Sequence, residues 1–147
     1  MADSTQSTID IAADAATVLD IIADFDAYPE WATQVKSAKV LSEDELGWPE
    51  QVEFTLDAAP IRDTYVLEYD WDVTEDGTGS VSWHLVRSDL LKGLDGTYSI
   101  TGSGDTTSVT YKLAVALKMP LIGALRNKAE RTIIDTALAG LKKRAEG

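Results

Sequence analysis

The sequence contains no cysteine and only one histidine, His84. Without cysteine there are no disulfide bonds, thiolate metal sites or thiol nucleophiles. A single histidine excludes histidine-rich metal centres, so we expect no metal or other cofactor. His84 follows Trp83 in an alternating segment, which places the two side chains on opposite faces of a strand. If Trp83 points inward, His84 faces solvent.

Positive charge and long apolar runs are also scarce. Lys and Arg number 13 against 25 Asp and Glu, a formal net charge of -12. Nucleic-acid binding depends on neutralising phosphates with Lys and Arg, so we expect no nucleic-acid partner. No apolar run approaches the roughly 20 residues that cross a bilayer, and the first residues are polar. We therefore expect no stable membrane insertion, no secretion signal and a cytoplasmic location.

The length and composition are those of one globular unit. A chain of 147 residues, 44% of them hydrophobic, is long enough to bury a core. No internal repeat, linker or low-complexity tract divides it. We expect a single domain over residues 1–147 that is a monomer or a weak homodimer.

The chain opens with a strand and two short helices. Residues 7–11 alternate polar and apolar side chains, which is typical of a half-buried strand. Asp14 can cap a helix whose apolar residues recur at helical spacing as far as Phe25. Pro29 disfavours helix for the residue before it and suits the first position of a second short helical turn that reaches Trp31.

From residue 35 the pattern changes to a period of two, which predicts six strands. We place them at residues 35–42, 50–58, 61–71, 79–87, 93–103 and 106–117. The third is the clearest, because Tyr65, Leu67, Tyr69 and Trp71 share one face. Short turn signals between successive strands indicate an antiparallel meander. With the first strand this makes a seven-stranded antiparallel sheet.

The longest helix follows, from about Pro120 to Arg144. Its apolar face is formed by Ile122, Leu125, Ala129, Ile133, Ala137 and Leu141. At ~1.5 Å per residue a helix of about 25 residues spans nearly 40 Å and can cross the whole sheet. The predicted fold class is therefore α+β, with a curved seven-stranded antiparallel sheet wrapped around a long C-terminal helix and two short helices after strand 1.

A curved sheet closed by one helix can enclose a cavity. The sheet face is rich in large rings with polar tips, which ligand sites combine with apolar walls. We predict a cavity lined by Phe25, Trp31, Phe54, Tyr65, Leu67, Tyr69, Trp83, Tyr98, Tyr111, Leu125, Ala129 and Ile133. For any single ring, packing in a filled core is the alternative interpretation.

Arg126 and Glu130 are the charged residues nearest to this predicted cavity. Both fall within the apolar face of the last helix, and they lie four residues apart and can pair. One interpretation is contact with the head group of a ligand. The other is a partly exposed ion pair in the first turns of the helix. No convincing acid–base pair stands out, so we predict no catalytic residue.

Several short motifs carry a resemblance to a known family. They are Ile9-x-Ile11-x-Ala13, Ile22-Ala23-Asp24-Phe25, Tyr28-Pro29-x-Trp31 and Lys92-Gly93-Leu94-Asp95-Gly96-x-Tyr98, followed by the long terminal helix. In this order the chain resembles the START-like (SRPBCC) superfamily of helix-grip domains. More narrowly, it is similar to the polyketide cyclase/dehydrase and coenzyme-Q-binding branch. The resemblance implies an internal apolar cavity that binds, carries or occasionally transforms hydrophobic molecules.

Three functions remain open at this point. The first is a domain that binds or carries a lipid, quinone or polyketide-like molecule. The second is an aromatase/cyclase or dehydratase that works on a ligand in the same cavity without a metal or nucleotide cofactor. The third is an interaction protein whose own side chains fill the cavity. We favour the first, because an enzyme needs a polar group within reach of the reacting atom and with a suitable pKa.

Overall fold

The computed structural model describes residues 4–58, 61–118 and 123–147, whose strands form one curved antiparallel sheet. The described strands are β1 (Thr5–Ile11), β2 (Val35–Glu43), β3 (Pro49–Ala58), β4 (Ile61–Val73), β5 (Gly79–Ser88), β6 (Leu91–Ser103) and β7 (Thr106–Leu117). Their order across the sheet is β1-β7-β6-β5-β4-β3-β2. The predicted seven-stranded antiparallel sheet is confirmed. Strands β4 and β6 extend two residues beyond the predicted limits, at Val73 and Leu91.

The helices follow the predicted order. They are α1 (Ala15–Ala23), a single 3-10 turn (Phe25–Ala27), α2 (Tyr28–Trp31) and α3 (Gly123–Glu146). Asp14 occupies the capping position of α1, but its carboxylate accepts a hydrogen bond from the Thr17 hydroxyl at 2.5 Å instead of a backbone N–H. The predicted start of the last helix, at Pro120 and Ile122, lies outside the described residues. No described helix is long and apolar enough to cross a membrane.

Irregular register bends the sheet. Between β4 and β5 the pairing shifts after Val66, leaving Val86 without a partner opposite it. A second shift lies between Leu91 and Gly93 in β6, and β2 contains further shifts along its pairing with β3. An extra residue in one strand bends that strand and increases its twist. These bulges help the sheet curve, and its concave face is the one that α3 closes.

Helix α3 lies along β1, the outer strand at one edge of the sheet. The Arg131 guanidinium donates to the carbonyl oxygen of Gln6 at 3.3 Å. Further along the helix, Lys142 Nζ donates to the carbonyl oxygen of Asp10 at 2.7 Å. The two cations thus occupy backbone acceptors of an edge strand, and together they fix the helix along the length of β1.

Aromatic rings form a continuous layer on the concave face. The ring centroids of Tyr69 and Trp83 are 5.4 Å apart, those of Trp83 and Tyr98 are 5.1 Å apart, and those of Tyr98 and Tyr111 are 4.6 Å apart. These pairs are tilted, as the charge distribution of aromatic rings favours. Phe54 joins the layer from β3, and all five side chains are buried.

The Trp83 ring lies directly on the backbone of the next strand. Gly96 of β6 is paired with Trp83 of β5, and a Cβ at Gly96 would overlap the indole ring. The missing side chain is therefore what lets the ring lie flat on the sheet. Gly93 in the same strand has no such neighbour, because a Cβ there would meet only the Ala116 Cβ, at 3.8 Å.

We expect Gly96→Ala to lower the free energy of unfolding by about 1–3 kcal/mol, because the Trp83 ring or the β6 backbone must shift to admit the methyl group. Gly93→Ala is the matched control and should have a much smaller effect. Urea denaturation of both variants measures the difference. Equal losses in the two variants would contradict this account of Gly96.

Candidate functional site

A cavity of about 60 Å³ lies between the concave face of the sheet and α3. At roughly 15 Å³ for each water it holds about four water molecules. Its described lining consists of Tyr28, Trp31, Ala32, Gln34, Val35, Phe54, Leu56, Tyr65, Leu67, Trp83, Leu94, Tyr98, Tyr111, Leu113, Ile133, Thr136 and Ala137. Rings therefore fill most of the space that the sheet and the helix enclose.

The structure brings most of the predicted lining residues together around this cavity. Those on its wall are Trp31, Phe54, Tyr65, Leu67, Trp83, Tyr98, Tyr111 and Ile133. Phe25 and Tyr69 are buried and in contact, with ring centroids 4.9 Å apart, but they are not among the described lining residues. Ala129 is fully buried and is not among the described lining residues. The side chain of Leu125 lies outside the described residues.

Among the described side chains of α3, only those of its later turns line the cavity. Ile133, Thr136 and Ala137 line it, and their spacing of three and four residues puts them on one face of the helix. The earlier turns lie over β1 and β7, at the edge of the sheet. Arg126 is half-buried in those turns and is not among the described residues that line the cavity.

Glu130 lies in a different place from the one expected of a head-group contact. Its side chain is fully buried, and its two oxygens accept hydrogen bonds from Thr5 Oγ1 at 2.7 Å and from the Val115 backbone N–H at 2.8 Å. One of these hydrogen bonds therefore joins α3 to β1, and the other joins α3 to β7. The angular projection correctly put Glu130 on the buried face, but that face meets the sheet edge at this turn.

Some lining residues were missed by the sequence analysis. Leu56 follows Phe54, and Leu113 follows Tyr111, at the spacing of two that puts each pair on one face of its strand. Alternation could therefore have identified both leucines. Gln34 and Thr136 had no such signal, because a polar residue in a loop or on a helix gives no sign that it faces a cavity.

No charged side chain is found among the described residues that line the cavity. His84 is exposed on the opposite face of the sheet, as predicted, with its Nε2 3.4 Å from Glu68 Oε2. In the described parts of the chain, no group of three His, Cys, Asp or Glu residues is arranged to hold a metal ion. The polar groups of the cavity are thus neutral hydroxyls, one amide and two indoles.

All five tyrosines of the sequence are buried in and around this cavity. Burial raises the pKa of each hydroxyl above its ordinary value of 10.0, because the tyrosinate anion would lose its hydration. Repulsion between neighbouring tyrosines adds to the increase in the pKa of Tyr69 and Tyr98. The hydroxyls are therefore neutral throughout the physiological range.

The tyrosine hydroxyls differ in their hydrogen bonds. Tyr28 Oη donates to the carbonyl oxygen of Ile22 at 2.5 Å. For the hydroxyls of Tyr65, Tyr69, Tyr98 and Tyr111, no partner is found within the described residues. Buried tyrosine hydroxyls usually have a partner, so Tyr65, Tyr98 and Tyr111, which line the cavity, leave hydrogen-bonding capacity there.

Comparisons with known proteins agree on the family and the fold. Residues 11–142 match the model of a family described as polyketide cyclase/dehydrase and lipid transport. A comparison with curated protein sequences gives no significant match.

Solved structures with the same fold are similar over nearly the whole chain. A START superfamily protein from Mycobacterium smegmatis has 24% identity and a TM-score of 0.87, over 97% of both chains. The Zhui aromatase/cyclase from Streptomyces sp. R1128 has 15% identity and a TM-score of 0.76, over 99% of this chain and 94% of that one. A protein from Thermus thermophilus has 19% identity and a TM-score of 0.79, over 97% of both.

The raised tyrosine pKa values predict a steep loss of stability in alkali. The unfolded chain releases its tyrosine protons near pH 10, and the folded chain does so only at higher pH. The contribution of these tyrosines to the free energy of unfolding is therefore fully present below pH 10 and falls above it. The slope is up to about 1.4 kcal/mol per tyrosine for each pH unit. Ultraviolet absorbance should show tyrosinate appearing together with unfolding. Gradual titration of the folded protein near pH 10 would contradict this.

The buried carboxylate gives a second prediction. Glu130→Ala leaves the Thr5 hydroxyl and the Val115 N–H without their acceptor, and we expect the free energy of unfolding to fall by about 3 kcal/mol. Asp135→Ala in the same helix is the control. Asp135 is exposed and lies 3.9 Å from Arg131, so its loss should cost no more than about 0.5 kcal/mol. Chemical denaturation measures both, and similar losses would refute the role given to Glu130.

Proposed function

The chain belongs to the polyketide cyclase/dehydrase and lipid transport family, and on this basis we propose that it binds an uncharged hydrophobic small molecule between the sheet and α3. A quinone or a neutral polyketide-like molecule fits this description. The cavity holds the ligand by shape and by a few hydrogen bonds, and the protein carries or sequesters it.

One observation carries the proposal: an apolar cavity with unused hydroxyls. Tyr65, Tyr98 and Tyr111 line it, and their hydroxyls have no partner among the described residues. Ligand sites typically combine apolar walls with a few convergent polar groups of this kind. Because the described lining carries no charge, an anionic or cationic group buried there would lose its hydration without gaining an ion pair. This favours an uncharged ligand.

The small volume supports the alternative in which the protein's own side chains fill the cavity. A volume of about 60 Å³ is well below that of ordinary ligand sites, which occupy roughly 300–1,000 Å³. A core that is simply filled would, however, be expected to satisfy its own hydroxyls. The proposal therefore requires the cavity to widen when the ligand enters.

Catalysis is the second alternative, and the chemistry of the lining disfavours it. General acid–base catalysis works best with groups whose pKa lies near the working pH. Burial instead moves the pKa of Tyr65, Tyr98 and Tyr111 further above neutrality. These tyrosines are suited to donating hydrogen bonds to a carbonyl oxygen and are poorly suited to removing a proton.

Two measurements test the proposal. Native mass spectrometry of protein purified from cells that express it should show a bound small molecule. Titration with the uncharged dye Nile red, which carries a carbonyl acceptor, should show binding at one site per chain. We expect Tyr111→Phe to weaken dye binding by roughly two- to tenfold, the cost of one hydrogen bond.

Tyr69→Phe is the matched control, because Tyr69 is a buried tyrosine that is not among the described lining residues. Its dye affinity should equal that of the unchanged protein. Absence of both a bound molecule and dye binding would reject the proposal. Equal weakening in the two variants would reject the role of the cavity hydroxyls.

A further inference from the structure

A groove on the protein surface lies outside the cavity, between α2 and the later turns of α3. The groove has a volume of about 720 Å³ and is bordered by charged side chains that include Glu30, Asp135, Lys143 and Arg144. Trp31 and Thr136 line this groove and also line the internal cavity. These two residues therefore lie between the cavity and the groove.

Trp31 is the larger of these two residues, and no hydrogen bond from the described residues holds its indole N–H in place. Its centroid lies 4.7 Å from that of Tyr28, whose hydroxyl is tied to the carbonyl of Ile22. The Trp31 indole N–H is buried and has no hydrogen-bond partner within the described residues. A buried donor without a partner is costly, and water in the groove would supply one. Rotation of the ring outward therefore regains a hydrogen bond that the closed position lacks.

The backbone on either side of the ring is much less free to move. A Cβ at Gly140 of α3 would overlap the carbonyl oxygen of Trp31, so the two helices are in direct backbone contact there. Arg144 also pairs with Glu30 at 2.8 Å across the same junction. Opening the wall by a side-chain rotation preserves both contacts, whereas separating α2 from α3 breaks them.

We propose that Trp31 is the gate of the cavity, and that the ligand passes from the α2–α3 groove to the interior when its ring rotates. This rests on the proposed binding function. Opening the wall joins the cavity, of about 60 Å³, to the groove, of about 720 Å³.

Stopped-flow kinetics with Nile red test the gate. Trp31→Phe keeps an aromatic ring but replaces the indole with a smaller one, so we expect the association rate of the dye to rise by about tenfold. Most binding-site substitutions act mainly on dissociation. Trp83→Phe is the matched control, because Trp83 is equally buried and lines the cavity but not the groove. It should change dissociation and leave the association rate unaltered.

Hydrogen exchange of the Trp31 indole N–H in the unchanged protein tests the gate without any ligand. Opening by ring rotation is local, so its exchange rate should be nearly independent of urea below the unfolding transition. A rate that rises with urea as steeply as global unfolding would overturn the gate. So would Trp31→Phe behaving like Trp83→Phe in the dye kinetics. If no dye binds while exchange is local, the Trp31 ring opens as proposed but the binding proposal fails, and the ligand route fails with it.

Discussion

The position of α3 over the sheet depends on one buried carboxylate. Glu130 is completely enclosed, and a carboxyl group in that position is tolerated only when its oxygens are hydrogen-bonded. One oxygen accepts from Thr5 in β1 and the other from the backbone of Val115 in β7. These contacts set the height of the helix above the sheet edge. The turns that follow, from Ile133 to Ala137, are thereby held above the aromatic layer at a distance that leaves only a narrow space.

The sequence predicted the sheet well because alternation in a strand is a geometric necessity. Tyr65, Leu67 and Trp83 could be assigned to the inner face from their spacing alone, and each lies on the cavity wall. Alternation identifies the face of a strand but not which residues on that face border the cavity, so Tyr69 was predicted on the wall although it is not among the described lining residues. The helix raised a different difficulty. The angular position of Glu130 predicted burial, but only the path of α3 over the sheet decides what a buried side chain touches.

The chemical character of the cavity follows from its aromatic composition. Tyrosine supplies both the apolar wall and the polar groups, so that no charge has to be buried beside the ligand space. Since burial keeps the pKa of these hydroxyls high, their ability to donate hydrogen bonds does not change with pH in the cell. Trp31 belongs to the same layer but differs in reaching the outer surface. Aromatic side chains thus form both the lining of the cavity and its border with the groove.

The contacts between α3 and β1 have a consequence for how copies of this chain behave at high concentration. A sheet has two outer strands, and a free outer strand can pair with the sheet of another molecule. Here the cations Arg131 and Lys142 occupy carbonyl oxygens of β1. At the other border, the register shifts of β2 break the regular ladder, and the exposed side chains of Lys36 and Lys39 add like charges. Both borders of the described sheet are therefore protected against growth into fibrous aggregates.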